Sequence, residues 1–150
     1  MNYWLMKSEP DDFSIDDLKR KKSEPWSGVR NYQARNYMRD GMRAGDGVFF
    51  YHSSCAEPGI VGIAEVACAA YPDPTQFDPR SDYFDVGSSR AAPRWMLVNV
   101  KFKRKLKRAI TLTQLKARPE LRELVLVRPG GRLSVQPVTK AHWDFILDLE

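Results

Sequence analysis

Four short segments hold the residues whose types and spacing could do chemistry: Lys7-Ser8, the run Trp26-Ser27-Gly28-Val29-Arg30-Asn31, Tyr51-His52-Ser53, and Trp95. An indole offers a flat face to a planar heteroaromatic ligand, and stacking of one base on such a ring is worth about 1–3 kcal/mol. Serine hydroxyls, an asparagine amide and main-chain N–H groups supply fixed donors and acceptors for the ligand's edge. Arg30 could reach a flanking phosphate. Each residue also has a plain structural role open to it: Trp26 and Trp95 in the core, Asn31 capping a helix, His52 ending a strand. As a group, placed in loops and at strand ends, they predict a pocket at one end of the fold.

Catalysis has less support. The chain lacks a Gly-x-Ser-x-Gly elbow, a phosphate loop ending Gly-Lys-Ser/Thr, a His-Glu-x-x-His pair and a dinucleotide fingerprint. His52 and His142 are the only histidines, and Cys55 and Cys68 the only cysteines. A nucleotide-modifying enzyme with His52 as general base is the enzymatic alternative, and it wants an acid partner at a predictive spacing. Asp73, Asp78, Asp82 and Asp85 lack the alternation and glycine of a calcium loop, and the prolines and Arg80 among them favour turns. No metal, cofactor or catalytic residue is expected. A protein–protein adaptor using the aromatic surface is the third reading.

These groups must be carried by 150 residues with 24 Lys+Arg against 19 Asp+Glu, a net charge of +5. That length predicts a single domain over 1–150, since domains most often run to about 100–150 residues. An aromatic fraction of 11% excludes a disordered chain. No apolar run approaches the roughly 18 residues of a membrane span. Lys7, Glu9, Asp11 and Asp12 argue against a signal peptide, so a soluble cytoplasmic protein is expected. The cysteines are expected as small buried apolar residues. Basic runs at 19–22 and 101–108 favour a polyanionic partner without fixing one.

The elements that would position the site follow from periodicity. Tyr3 to Met6 reads as a buried strand, and Ser14 with Asp17 as the capped start of a short helix. Asn31 to Asp40 reads as a second helix ending at Gly41. Val48–His52 and Ile60–Ala67 read as a hairpin, and Trp95–Arg108 as one long strand. The Pro-, Asp- and Ser-rich stretch 71–94 is a long loop of the kind that is functional or covers a site. Thr111 caps a short helix, and Thr139 a last one in which His142 is exposed. Leu126-Val127 and Leu133-Ser134-Val135, joined by a turn at Pro129-Gly130-Gly131, read as a second hairpin. This order is α+β, with a small, partly closed barrel as the natural way to cover strand edges.

Several segments together resemble the EVE domain: Tyr3-Trp4-Leu5-Met6-Lys7-Ser8-Glu9-Pro10, Trp26 through Asn36, Phe49 through Ser53, Pro58 through Gly62, Pro93-Arg94-Trp95, and Arg132 through Pro137. The likeness runs in order over essentially the whole chain. The EVE domain belongs to the PUA-like superfamily, which also holds the YTH domains that read N6-methyladenine in RNA. The resemblance implies a PUA-like twisted β-barrel of about five to six mostly antiparallel strands flanked by short helices. It also implies a non-catalytic pocket that takes a flipped modified base from nucleic acid, 5-methyl- or 5-hydroxymethylcytosine in DNA foremost. A modified RNA base such as N6-methyladenine is the alternative. Lys7-Ser8 and Trp26-Ser27 are similar to the Lys-Ser pair and cage Trp of YTH domains.

The expected base-binding set is Lys7, Ser8, Trp26, Ser27, Gly28, Val29, Arg30, Asn31, Tyr51, His52, Ser53 and Trp95, with phosphate contacts from Lys101, Lys103 and Lys105. Ser54 stands where members of that family often carry Asn. The resemblance further implies a bare, monomeric domain, cytoplasmic or, in a eukaryote, nuclear.

Overall fold

The computed structural model describes residues 1–129 and 132–150. Strands β1 (Tyr3–Ser8), β2 (Ser23–Pro25), β3 (Gly47–His52), β4 (Gly59–Val66), β7 (Asn99–Thr111) and β8 (Val135–Val138) form a six-stranded sheet in the order β2-β7-β4-β3-β1-β8. Strands β5 (Tyr71–Pro72) and β6 (Met96–Leu97) pair separately. β1 and β3 run parallel and every other pairing is antiparallel. Register shifts at Phe50/Tyr51, Ile60/Gly62 and Ile63/Ala64 bend the sheet into a half-barrel. The architecture is α+β, with helices α1 (Ile15–Lys21), α2 (Tyr32–Asn36), α3 (Leu112–Lys116) and α4 (Lys140–Leu147).

Period-two alternation divides the interior between the two faces of the sheet. Trp4, Met6, Val48, Phe50, Ala64 and Val100 face α1 and Trp26. Leu5, Phe49, Tyr51, Ile60 and Leu106 face α3 and α4, where Trp143 stacks on Phe49 with ring centroids 3.9 Å apart. The helix starts are those the side chains dictate. Ser14 and Asp17 form a reciprocal capping box, as do Thr111 and Gln114, and Thr139 caps α4.

Five expectations are corrected. The stretch 95–108 is two strands, because Met96–Leu97 pairs with Tyr71–Pro72 while Asn99 onward joins the main sheet, with buried Val98 between them. Leu126-Val127 belongs to a 3-10 turn over Val125–Val127 that buries Leu124 and Leu126 against α3, so β8 pairs with β1 instead of a hairpin partner. The turn read at Gly130-Gly131 lies outside the described residues. The second helix is α-helical only to Asn36 and continues as a π-turn over Tyr37–Gly41, closed by the Met42 N–H on the Tyr37 carbonyl. Finally, Cys55, Cys68 and His142 are half-buried: the cysteines are not in the core, and His142 is not fully exposed.

The strand Ser23–Pro25 was not legible, having nothing apolar to bury. It adds to the sheet edge through pairing with Asn99–Lys101.

Candidate functional site

A cleft of about 590 Å³ opens where the end of β1, the segment following β2 and the turn after β3 meet. Lys7, Ser8, Trp26, Ser27, Gly28, Val29, Arg30 and Ser53 all line it, so the parallel pairing of β1 with β3 brings three of the four sequence segments together. Trp26 is 8% exposed and belongs to both the core and the cleft. It meets Phe13 and Phe50 edge-on, with centroids at 6.5 and 5.6 Å, and its indole N–H has no partner among the described residues. Ser8 donates its hydroxyl proton to the Phe13 carbonyl at 2.5 Å, which leaves the oxygen's lone pairs for a ligand donor. Burial pulls the Lys7 amine below its ordinary pKa; the ammonium lies 5.8 Å above the Tyr51 ring.

The main-chain N–H groups here are largely committed. Trp26 donates to the Val98 carbonyl, Ser27 to the Pro25 carbonyl, Gly28 to the Asp73 carboxylate at 2.8 Å, and Ser53 to the Ser8 carbonyl at 3.0 Å. Side chains must therefore supply most of the bonding to a ligand edge.

The far wall is held by a buried ion pair. Asp73 is fully buried, and its carboxylate accepts from Gly28 N–H, from the Thr75 N–H and hydroxyl, and from the Arg30 guanidinium at 3.1 Å. Burial alone would raise its pKa, but these hydrogen bonds outweigh it and hold the carboxyl below the usual value. Arg30 also donates to the Tyr83 carbonyl and Thr75, and its guanidinium lies between the Tyr83 and Trp95 rings at 5.5 and 5.4 Å. Arg30 is thus a brace that fixes the long loop to the cleft. Gly28 takes φ +86°, and a Cβ there would meet the Tyr83 ring at 2.7 Å. Only glycine lets that ring close over the backbone.

Four predicted residues stand off the cleft. Asn31 caps α2, its side chain accepting from Ala34 N–H at 3.0 Å. Tyr51 points to the opposite core, where burial pushes its phenol up to about 12. His52 Nε2 accepts from the Ile15 N–H at 3.1 Å, and burial depresses its pKa, with Asp16 opposing and Lys105 adding to the shift. Trp95 is buried, stacks on Tyr32 at 4.8 Å and donates its indole N–H to Asp85 at 2.7 Å.

Lys101 and Lys103 face Glu65, and Lys105 faces Asp16. Lys101 stands one strand away from the cleft, since it pairs with Ser23, and Glu24 and Pro25 of the same strand line the cleft; Lys105 lies beyond that strand, paired with Gly62.

The cleft also contains residues that sequence reasoning missed. Phe13, Tyr83, Arg132 and Ser134 add to its walls, and Glu9, Asp12 and Glu24 make part of its rim anionic. The length and composition of the 71–94 stretch were the signal for Tyr83; nothing local marked the others. Asp73, Asp78 and Asp85 do serve turns, accepting from the Thr75, Arg80 and Gly87 N–H groups respectively. Among the described residues no cluster of His, Cys, Asp or Glu is placed to hold a metal ion, and no helix is long and apolar enough to cross a membrane.

The sequence pattern of the EVE domain matches residues 2–149. The chain belongs to the EVE domain family. Within that family it is 45% identical to mouse thymocyte nuclear protein 1 over 168 aligned residues, covering 99% of this chain and 74% of the mouse protein. A crystal structure of a protein from Pseudomonas putida is 51% identical, with TM-score 0.95 and 98% of both chains covered. The crystal structure of human THYN1 protein in complex with 5-methylcytosine-containing DNA is 43% identical, with TM-score 0.94, covering 99% of this chain and 97% of that one. The half-barrel with short helices is therefore the PUA-like EVE fold.

Proposed function

We propose that this EVE domain binds DNA and receives a 5-methylcytosine, turned out of its strand, in the cleft beside Trp26, acting by binding alone. The observation that carries the reading is the joint placement of Trp26, Ser8, Lys7 and Ser53 around one 590 Å³ cleft, in a chain so similar to a protein solved with 5-methylcytosine-containing DNA. That volume falls within the range of about 300–1,000 Å³ usual for small-molecule sites. Extruding a base costs a few kcal/mol, which stacking on an indole offsets in large part. Trp26 offers the platform, the Ser8 oxygen an acceptor for the exocyclic amine, and Lys7 and the Trp26 indole N–H donors for ring acceptors. Ser27, Gly28 and Val29 form the wall, braced by Arg30. Lys101, Lys103 and Lys105 supply salt-dependent phosphate contacts. The His52 nitrogen that a general base would use is engaged by Ile15, which favours binding over turnover.

One methyl group in an apolar corner is worth about 1–3 kcal/mol, so preference for modified over plain cytosine should lie near 10–200-fold. Fluorescence polarisation with duplexes differing by a single 5-methyl group tests this. Trp26→Ala should abolish the preference, and Ser27→Trp, at an exposed position, should block the cleft with the fold intact. Equal affinity of the wild-type protein for both duplexes would remove the reading.

A further inference from the structure

Tyr83, Phe84 and Val86 are large apolar side chains exposed within four residues of one another, at 46%, 40% and 87%. Single exposed apolar residues are ordinary, but a cluster at the apex of a fixed turn beside a cleft is not. The turn is built rigidly. Ser88 N–H donates to the Asp85 carbonyl, the Asp85 side chain accepts from Gly87 N–H at 2.9 Å, and the Asp85 N–H donates to the Gln76 carbonyl. Gln76 is fully buried; its amide bonds to the Asp73 and Trp95 carbonyls, while its oxygen accepts from the Ser88 hydroxyl and Trp95 N–H. The Arg94 guanidinium lies against Gly87 and 3.6 Å from the Asp85 carboxylate. Val86 is thereby held out in water by a scaffold that gives it nothing to pack on.

We infer that the tip formed by Phe84 and Val86 is a wedge that enters the base stack of a DNA duplex as the neighbouring cleft takes the extruded base. This rests on the function proposed above and adds the double-stranded state of the partner to it. Tyr83 joins the two features, since it walls the cleft while Phe84, next in the chain, belongs to the tip. Apolar side chains inserted between base steps are a recurrent way to hold a duplex unstacked. Charge complements the shape in part: Arg35 is bonded to the Arg94 carbonyl and Arg90 rests on the Phe77 ring, while the Arg94 guanidinium is shared with the Asp85 carboxylate. Arg35 and Arg90 would meet the phosphates on either side of the opened step; Asp78 and Asp85 accept from main-chain N–H groups of the loop itself, and exposed Asp82 is the loop carboxylate that opposes the attraction.

The test compares wild type with Phe84→Ser and Val86→Ser on three probes: a fully paired duplex with one 5-methylcytosine, the same duplex with an abasic site opposite it, and the matching single strand. Both positions are exposed, and thermal melting confirms that the variants fold. Losing a stacking contact should weaken binding to the paired duplex between roughly fivefold and a hundredfold. Binding to the single strand should stay within about twofold and the abasic duplex should recover most of the loss, because little unstacking remains to be done. A variant that keeps wild-type affinity for the paired duplex, or loses equally on all three probes, overturns the wedge. Absence of any preference for 5-methylcytosine in the wild type would instead overturn the function beneath it.

Discussion

The guanidinium of Arg30 lies 3.1 Å from the wholly buried carboxylate of Asp73, and through that contact the long loop is fixed to the segment that carries Trp26. The same carboxylate takes the Gly28 N–H, so a single acid sets the backbone of the cleft wall and the position of Tyr83 over it. The cleft is preformed by this bonding rather than by loop closure.

Asp73→Asn removes the charge and leaves Arg30 only 21% exposed without its partner. Breaking such a pair costs about 3–5 kcal/mol when fully buried, and the lower end applies here. Chemical denaturation at neutral pH measures it. The carboxyl is held below its ordinary 3.8, so its contribution is complete above that value and fades as pH falls through the depressed one. The Asn variant should show a flatter stability curve in that acid window.

His52 provides a second pH dependence. Burial lowers its folded pKa below 6.5, so the unfolded chain takes up the proton first. Stability attributable to His52 is complete above 6.5 and declines as pH drops from there towards the folded value, when the Nε2 bond to Ile15 is lost. His52→Gln, whose oxygen can accept from the same N–H, should remove this decline in thermal melts taken from pH 7 to 5.

Gly28→Ala meets two obstacles, a φ of +86° and the Tyr83 ring at 2.7 Å. The backbone part costs about 1–2 kcal/mol. The ring contact should be relieved in the double variant Gly28→Ala/Tyr83→Ala, so a double-mutant cycle should give a coupling well above the roughly 0.5 kcal/mol scatter of independent sites. Simple additivity would show that the ring does not confine Gly28.

Ser54 takes φ +54° at the cleft rim. Asparagine tolerates that left-handed region better than serine, so Ser54→Asn should raise stability by less than the roughly 1–2 kcal/mol that the conformation costs an ordinary side chain. An increase in the denaturation midpoint is the expected reading.

Much of this architecture was visible in local patterns. Ser14-Asp17, Thr111-Gln114 and Thr139 announced their helices because a cap is chemistry within four residues. Leu5 against Met6, and Phe49 against Phe50, announced the two faces of the sheet. What was hidden depends on distant partners. Met96–Leu97 departs from the main sheet only because Tyr71–Pro72 is there to pair with it. The same holds in the cleft: Lys7, Ser8, Trp26 and Ser53 were found by type, whereas Tyr83 and Phe13 are placed by contacts with no sequence signature. Asn31, His52 and Trp95 were read as ligand contacts, but their polar groups are satisfied within the protein, by Ala34, Ile15 and Asp85. Residue type alone does not distinguish a polar atom awaiting a ligand from one already bonded.

A crystal structure of this protein with a short duplex carrying one 5-methylcytosine tests the central claim most directly. The account predicts the methylated base outside the helix, parallel to the Trp26 indole at about 3.5 Å, with the Ser8 oxygen within bonding distance of its edge. A base still stacked in the duplex, with the cleft beside Trp26 open to solvent, would contradict it.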